Sequence, residues 1–212
     1  DFYDNRYVTY IEQEDKDVLL KLFCIDPSYL LSETLEKSKA AILFSATLTP
    51  LDYYRDILGG DEEDYIIRFN SPFPKDNLCL LVGDTISTKY KDRDKTYLEI
   101  VEYIEEFISQ KRGNYFVFFP SYKYMEQIYT HFIDRNPDII TIIQDNFMKE
   151  EDRENFLNRF HMEKQDTMVA FAVLGGIFSE GIDLIGDKLI GAVIVGVGLP
   201  QICFERNIIR EY

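Results

Sequence analysis

Long apolar runs are absent from this 212-residue sequence. No stretch reaches the roughly 18 apolar residues that a membrane-spanning helix requires. The first residues also lack the basic-then-apolar pattern of a secretory signal. The hydrophobic content of 46% is enough for one sizeable core, or for one domain and part of another. We therefore expect a globular chain that neither crosses a membrane nor carries an export signal of its own.

Cysteine is scarce as well. Cys24, Cys79 and Cys203 lie far apart, are odd in number and include no Cys-x-x-Cys pair. This spacing does not suit a zinc site built from paired cysteines, and it does not suggest a disulfide framework. The pattern favours reduced, structural thiols, so we predict a cytoplasmic protein.

Positive charge is in deficit, since the formal net charge is −15. Such a chain is not expected to have a broadly basic surface, and phosphates need cations placed against them. Helix N-termini and backbone N–H groups can still hold a few phosphates. The one local basic cluster contains Lys89, Lys91, Arg93 and Lys95. Two aspartates interrupt it, so it is either a solvated loop or a phosphate contact.

The hydrophobic pattern that is present alternates between strands and helices. It predicts a hairpin over residues 7–25, a helix over 29–37 capped by Ser28, and a buried strand over 40–45. A linker is predicted near 59–75, where paired glycines, an acidic run and two prolines occur. Further strands are predicted over 78–82, 115–119, 139–143, 168–173 and 189–197, with helices over 97–108, after Ser121 and over 149–160. This order predicts an α/β fold, a parallel sheet with helices on both faces.

Ligands of such sheets bind at the carboxyl ends of the strands. Four predicted strand ends carry notable residues, at 45–47, 119–122, 175–183 and 198–200. The segment 175–184 (Gly-Gly-Ile-Phe-Ser-Glu-Gly-Ile-Asp-Leu) is the most distinctive. Its carboxylates Glu180 and Asp183 can accept from a ribose hydroxyl or contact a cation. The alternative is a plain turn between strand and helix, with Asp183 as a cap.

This segment resembles motif V of the XPD- and DinG-type superfamily 2 DNA helicases. Three other segments match the same family in the expected order. Residues 41–50 (Ala-Ile-Leu-Phe-Ser-Ala-Thr-Leu-Thr-Pro) look like motif III, and residues 113–122 (Gly-Asn-Tyr-Phe-Val-Phe-Phe-Pro-Ser-Tyr) look like motif IV. Residues 196–200 resemble the strand and turn after motif V. The resemblance covers nearly the whole chain and implies a RecA-like fold, related to the P-loop NTPases.

The resemblance also implies roles for single residues. Ser45 and Thr47 match the Ser-Ala-Thr of motif III, which couples the nucleotide state to the grip on nucleic acid. Ser121 matches the motif IV position at which a hydroxyl and a helix N-terminus face a backbone phosphate. We therefore place Ser121, the adjacent Tyr122 and the cations Lys89, Lys91 and Arg93 in a nucleic-acid-binding surface.

The motif V match assigns Glu180, Gly181 and Asp183 to the nucleotide cleft between two motor halves. Asp183 is expected near the nucleotide's sugar or the coupling network. The family hydrolyses ATP with Mg²⁺ and moves along single-stranded DNA. Some members hold an iron–sulfur cluster on four cysteines in the other half, and the scattered cysteines of this chain cannot form one.

Several family elements are missing from the sequence. It contains no Gly-x-x-x-x-Gly-Lys-Ser/Thr phosphate loop. The acidic run 61–64 imitates the metal-binding box but follows two glycines, which is typical of a solvated loop. Gln201, Arg206 and Arg210 lack the spacing of the final arginine motif. We therefore expect a chain truncated at both ends and inactive alone, with ATP and Mg²⁺ bound mainly by the missing half.

The sequence thus predicts the closing segment of a first motor half over residues 1–60 and a second RecA-like domain over 61–212. The implied partners are single-stranded DNA, ATP and the N-terminal motor half of the same protein, with no membrane involved. One alternative is a non-catalytic partner-binding domain that keeps the motor fold. A second is an unrelated α/β enzyme built around Glu180 and Asp183.

Overall fold

A computed structural model describes residues 4–14, 17–161, 166–178, 181–199 and 202–212. The described residues form two compact units, one within Asp1–Cys79 and Gln201–Tyr212, the other within Leu80–Pro200. No helix in these ranges is long and apolar enough to span a membrane. In chain order the elements are β1 (Tyr7–Glu14), β2 (Asp17–Cys24), α1 (Ser28–Leu35), α2 (Leu51–Ile57), α3 (Arg93–Ser109), β3 (Asn114–Phe119), α4 (Tyr122–Arg135), β4 (Ile140–Ile143), α5 (Glu150–Asn158), β5 (Met168–Val173), β6 (Gly191–Ile194) and α6 (Phe204–Glu211).

The larger unit is built on a four-stranded sheet in the order β4-β5-β3-β6, and all three strand pairs are parallel. Strand β5 has every residue buried, as expected of a parallel strand covered on both faces. Because successive side chains point to opposite faces, Phe171 packs on one side of the sheet and Ala170 on the other. The sheet is therefore the middle layer of the unit.

Helices cover both faces of this sheet. On one face α3 and α4 contribute Ile104, Met125 and Phe132 to the core. On the other face α5 and the 3₁₀ turn at residues 159–161 contribute Phe156 and Phe160. The predicted α/β class, with a parallel sheet between helices, is confirmed.

The strand predicted over 189–197 is too long. Strand β6 covers Gly191–Ile194, and its partner β3 covers Asn114–Phe119. Ile194 pairs with Phe118, and the Val195 N–H still donates to the Phe118 carbonyl at 2.9 Å. Since β3 gives way to a loop after Phe119, the apolar residues beyond Val195 have no opposite strand to bond.

The smaller unit contains the predicted hairpin, with β1 and β2 paired in antiparallel register from Tyr7 opposite Cys24. The predicted cap of α1 is wrong. Pro27 occupies the N-cap position and makes no side-chain cap bond. Ser28 is already the first helical residue, and its N–H donates to Asp26 Oδ1 at 2.9 Å. Pro27 already has helical backbone angles (φ −84°, ψ −4°), so the helical conformation begins before Ser28.

The strands predicted over 40–45 and 78–82 do not form. Both segments lack regular secondary structure, and Ile42 and Phe44 are 84% and 89% exposed. A strand is stabilised by bonds to a neighbouring strand, and no strand within the described residues pairs with either segment. A suitable apolar run is therefore not sufficient for a strand.

Candidate functional site

The candidate site lies at the carboxyl edge of the four-stranded sheet, because the ends of parallel strands meet at one edge. The Leu174 N–H donates to the Phe119 carbonyl at 2.8 Å, which places the start of the 175–183 loop beside the end of β3. A Cβ on Gly198 would stand 3.0 Å from the Leu174 side chain. Three of the four predicted strand ends are thus brought together in the larger unit.

Ser121 follows β3 after Pro120 and caps α4, as predicted. Its backbone is extended, and its Oγ accepts from the Tyr124 N–H at 3.4 Å. This bond uses the oxygen as acceptor, so the hydroxyl proton remains able to donate to an anion. The helix N-terminus behind it carries partial positive charge, which favours an anion at the same place.

Tyr122 has its hydroxyl tied into a buried network. Gln144, which follows β4 and is buried, donates from Nε2 to the Tyr122 oxygen at 2.8 Å. The Val173 N–H donates to Gln144 Oε1 at 3.0 Å. Burial raises the pKa of the Tyr122 phenol, and the nearby Asp145 carboxylate adds to the rise. The side-chain amide of Gln144 therefore links the ends of β4 and β5 to the start of α4.

The first residues of the 175–183 loop lie beside the hydrogen bonds of Gln144. A Cβ on Gly176 would stand 3.1 Å from Gln144 Nε2 and 2.9 Å from a Val173 methyl, so a larger residue would push into the buried amide. Gly181 has a φ of +69°, which L side chains rarely adopt. Asp183 is exposed. Glu180, also predicted to belong to this site, lies outside the described residues.

Sequence reasoning missed Arg153, which contacts this loop from α5. Its Nε donates to the Ile177 carbonyl and its Nη2 to the Gly181 carbonyl, each at 3.1 Å. Its Nη1 also pairs with Glu150 at 2.9 Å. In the sequence Arg153 is one cation in a highly charged stretch, which is typical of a solvated helix face. No signal in the sequence distinguished it.

The predicted basic cluster has members in different environments. Lys89 and Lys91 are exposed. Arg93 is half-buried, with its guanidinium carbon 4.3 Å from the centre of the Tyr124 ring and its Nε bonded to the Thr88 carbonyl at 3.3 Å. A Cβ on Gly196 would stand 2.9 Å from Thr88 Oγ1. The basic segment therefore runs beside the end of β6, at the same edge as Ser121.

Ser45 and Thr47 belong to the smaller unit. Their hydroxyl oxygens are 3.1 Å apart, and the Thr47 N–H donates to Ser45 Oγ at 3.2 Å. Both side chains are exposed. Their hydroxyl groups are thus held in a tight turn and remain accessible to further polar groups.

The sequence has no phosphate loop, and the described residues include no group of three His, Cys, Asp or Glu side chains that could hold a metal ion. Asp183 is a single exposed carboxylate, which can accept from a sugar hydroxyl but does not form a metal site alone. The three cysteines are free thiols.

Comparison with known proteins identifies the family. The model of the helicase C-terminal domain matches residues 104–212. The match covers about half of the chain, and we conclude that the chain belongs to the helicase C-terminal domain family. The matched range contains three of the four segments that carry the resemblance seen in the sequence, residues 113–122, 175–184 and 196–200. The resemblance to this helicase family is confirmed.

Among curated proteins the chain is similar to ATP-dependent DNA helicases CHL1. It is 28% identical to the Candida albicans protein over 208 residues, covering 89% of the chain and 24% of that protein. It is 27% identical to the Schizosaccharomyces pombe protein over 208 residues, which covers 90% of the chain and 24% of that protein. The chain thus spans about a quarter of the length of these relatives.

Two solved structures of XPD have the same fold. The first, described as apo, superposes with a TM-score of 0.67 at 19% identity and covers 98% of the chain and 41% of the XPD chain. The second, described as a helicase, has a TM-score of 0.61, also at 19% identity. It covers 98% of the chain and 36% of the XPD chain. The RecA-like fold expected from the sequence is therefore confirmed.

Proposed function

We propose that this chain is the C-terminal motor domain of an ATP-dependent DNA helicase, acting in DNA unwinding during repair or replication. The observation that carries the proposal is the joining of the motif IV and motif V segments at one sheet edge, by the 2.8 Å bond between Leu174 and Phe119. Family membership and the CHL1 relatives support it. Localisation in the cytoplasm stays a prediction.

Single-stranded DNA is the proposed nucleic-acid partner. Ser121 supports this role because it offers a hydroxyl donor at the N-terminus of α4. Lys89 and Lys91 are exposed cations beside the same edge. Tyr122 and Arg93 would act mainly by shaping the surface, since Gln144 holds the phenol and the Tyr124 ring holds the guanidinium. The contacts would be to backbone phosphates, with little reading of bases.

ATP and Mg²⁺ are proposed to be held mainly outside this chain. Bound ATP supplies the phosphoryl transfer whose energy drives movement. Within the chain, Asp183 and the Gly181 backbone would face the nucleotide side of the cleft, as would Glu180. The exposed hydroxyls of Ser45 and Thr47 would couple the nucleotide state to the DNA grip.

The N-terminal motor half of the same protein is the proposed protein partner. The smaller unit supports this partner because it exposes large apolar side chains, and extensive exposed apolar surface marks interaction sites. Among the most exposed are Ile42, Phe44, Tyr65, Phe69 and Phe73. Covering these residues would remove apolar area from water, which is favourable.

DNA binding by the chain itself tests the proposal. Fluorescence anisotropy with a labelled single strand would be measured at several salt concentrations. We expect weak, salt-sensitive binding that Ser121→Ala weakens and Lys89→Gln with Lys91→Gln weakens further. If both lysines contact phosphates, the double variant should make the negative slope of log K against log salt shallower by about 1.4, or about 0.7 per contact. Arg93 is left intact because its ring contact stabilises α4.

A matched control is available on the same unit. Lys111→Gln with Arg112→Gln removes the same charge from exposed residues that precede β3, at the amino edge of the sheet. Equal loss of binding in the control and test variants would contradict the proposed surface. A longer protein that contains this chain should also hydrolyse ATP faster when DNA is added. Absence of that stimulation would favour the partner-binding alternative.

A further inference from the structure

Helix α5 holds the 175–183 loop by two side chains that lie three residues apart. The Phe156 ring stacks on Phe178, with ring centroids 4.3 Å apart, and both rings are buried in the core on that face of the sheet. Arg153 makes the polar half of the contact through the carbonyls of Ile177 and Gly181. Residues at positions i and i+3 of a helix share a face, so both contacts come from one surface of α5.

Arginine has the geometry that this contact requires. Its planar guanidinium presents N–H donors in a fixed fork, and here two of its nitrogens reach carbonyls four residues apart in the loop. A lysine ammonium is a single compact charge on a flexible stem and does not reproduce this bridge. The side chain of Arg153 is only 18% exposed, and Glu150 pairs with the remaining terminal nitrogen. All three guanidinium nitrogens therefore have a partner, two in the loop and one on α5.

We propose that Arg153 is a positioning residue. It fixes the loop backbone at Ile177 and Gly181 and so sets the position of Asp183 at the end of the loop. Gly181 has a positive φ and would otherwise allow several backbone paths. The inference rests on the proposed function, which places Asp183 and the Gly181 backbone on the nucleotide side of the cleft. Arg153 touches neither ligand in this role and acts only through the loop.

The test uses the full-length helicase that contains this chain and compares Arg153→Gln, Arg153→Lys and the control Arg159→Gln. Arg159 is an exposed cation just after α5, and no hydrogen bond joins it to the loop among the described contacts. The rate of ATP hydrolysis is measured with and without single-stranded DNA. Hydrogen exchange is measured in a peptide that covers residues 177–183, and the melting temperature is recorded for each variant.

For Arg153→Gln we expect the ratio of DNA-stimulated to unstimulated rate to fall at least about tenfold, since misplacing a positioned group by ~1 Å can cost about 100-fold. Exchange should become faster in the 177–183 peptide, with little change elsewhere. Arg153→Lys should give an intermediate ratio, because it keeps the charge and can bond one carbonyl. Arg159→Gln should match the wild type in both measurements.

Two results would overturn the inference. One is an Arg153→Gln protein that matches the control in the rate ratio. The other is a parallel fall of both rates with a lowered melting temperature, which indicates a merely structural role. A wild type that DNA does not stimulate would instead overturn the proposed function, and the loop contact would then be judged on hydrogen exchange alone.

Discussion

Apolar side chains have different environments in the two units. Within the described residues, every buried hydrophobic side chain lies between Ile100 and Val195, in the larger unit. In the smaller unit α1, α2 and α6 have no buried residue, and Tyr65 is 98% exposed. Both units contain apolar runs of similar character in the sequence. The difference shows that an apolar run is buried only where a second layer is available to pack against it.

The largest expected effect is on the free energy of unfolding and comes from comparing one phenylalanine of each unit, Phe171 and Phe44. Phe171→Ala should lower the free energy of unfolding by roughly 3–5 kcal/mol, because the ring is fully buried and packs against Phe119, Tyr129 and Phe132. Phe44→Ala should change it by less than about 0.5 kcal/mol. Urea denaturation of both variants measures the two values. Similar losses would show that Phe44 is buried in solution and would remove the contrast between the units.

The next effect concerns the buried amide of the larger unit. Gln144→Leu should cost about 1–3 kcal/mol of stability, because it leaves the buried Val173 N–H without its acceptor. Tyr122→Phe should cost about 1 kcal/mol. The free energies of unfolding of the two single variants and the double variant form a cycle. Additive losses would mean that Gln144 and Tyr122 do not interact as the 2.8 Å bond indicates.

A smaller effect compares two serines at helix starts. Ser121→Ala should cost about 1 kcal/mol, because its hydroxyl caps α4. Ser28→Ala should cost less than Ser121→Ala, because Ser28 lies inside α1 and its side chain bonds Asp26 without capping the helix. Thermal melts of the two variants give the comparison. An equal cost at both positions would argue that Ser28 caps α1 after all.

The smallest effect is electrostatic and lies in the unit without a buried core. Hydrogen bonds lower the pKa of the Glu205 carboxyl from its ordinary 4.5 to about 2, and the largest contribution comes from the Tyr10 hydroxyl, which donates to it. Tyr10→Phe should therefore raise the pKa of Glu205, as measured by NMR titration of the carboxyl carbon. A pKa depressed in the folded state stabilises the fold above the unfolded pKa, and this contribution is lost as the pH falls toward 2.

The stability difference between wild type and Tyr10→Phe should accordingly be present above pH 4.5 and disappear near pH 2. Tyr29→Phe is a suitable control, since its hydroxyl donates to Glu33 in the same unit. Tyr29→Phe should leave the pKa of Glu205 unchanged at about 2. An unchanged pKa of Glu205 in Tyr10→Phe would show that the hydroxyl contact does not persist in solution.

Local patterns in the sequence predicted most of the larger unit. Residues 168–173 form the predicted strand with the same bounds, because six consecutive apolar residues suit a strand covered on both faces. The Ser121 cap was also predictable, since a serine before an apolar helical stripe is a local signal. The motif V residues were recognisable by their order, whereas Arg153 and Gln144 act through partners distant in the chain.

By itself the sequence determined the alternation of strands and helices, the cap of α4 and the family. The first two depend on residues a few positions apart, whose effect on the backbone is local, and the family was recognised from the order of four short segments. Only the tertiary structure decided that residues 40–45 and 78–82 form no strand, that Gln144 joins three chain segments, and that Arg153 bonds Ile177 and Gly181. The physical reason is that strand pairing, burial and long-range hydrogen bonds require a partner, which a local pattern does not specify.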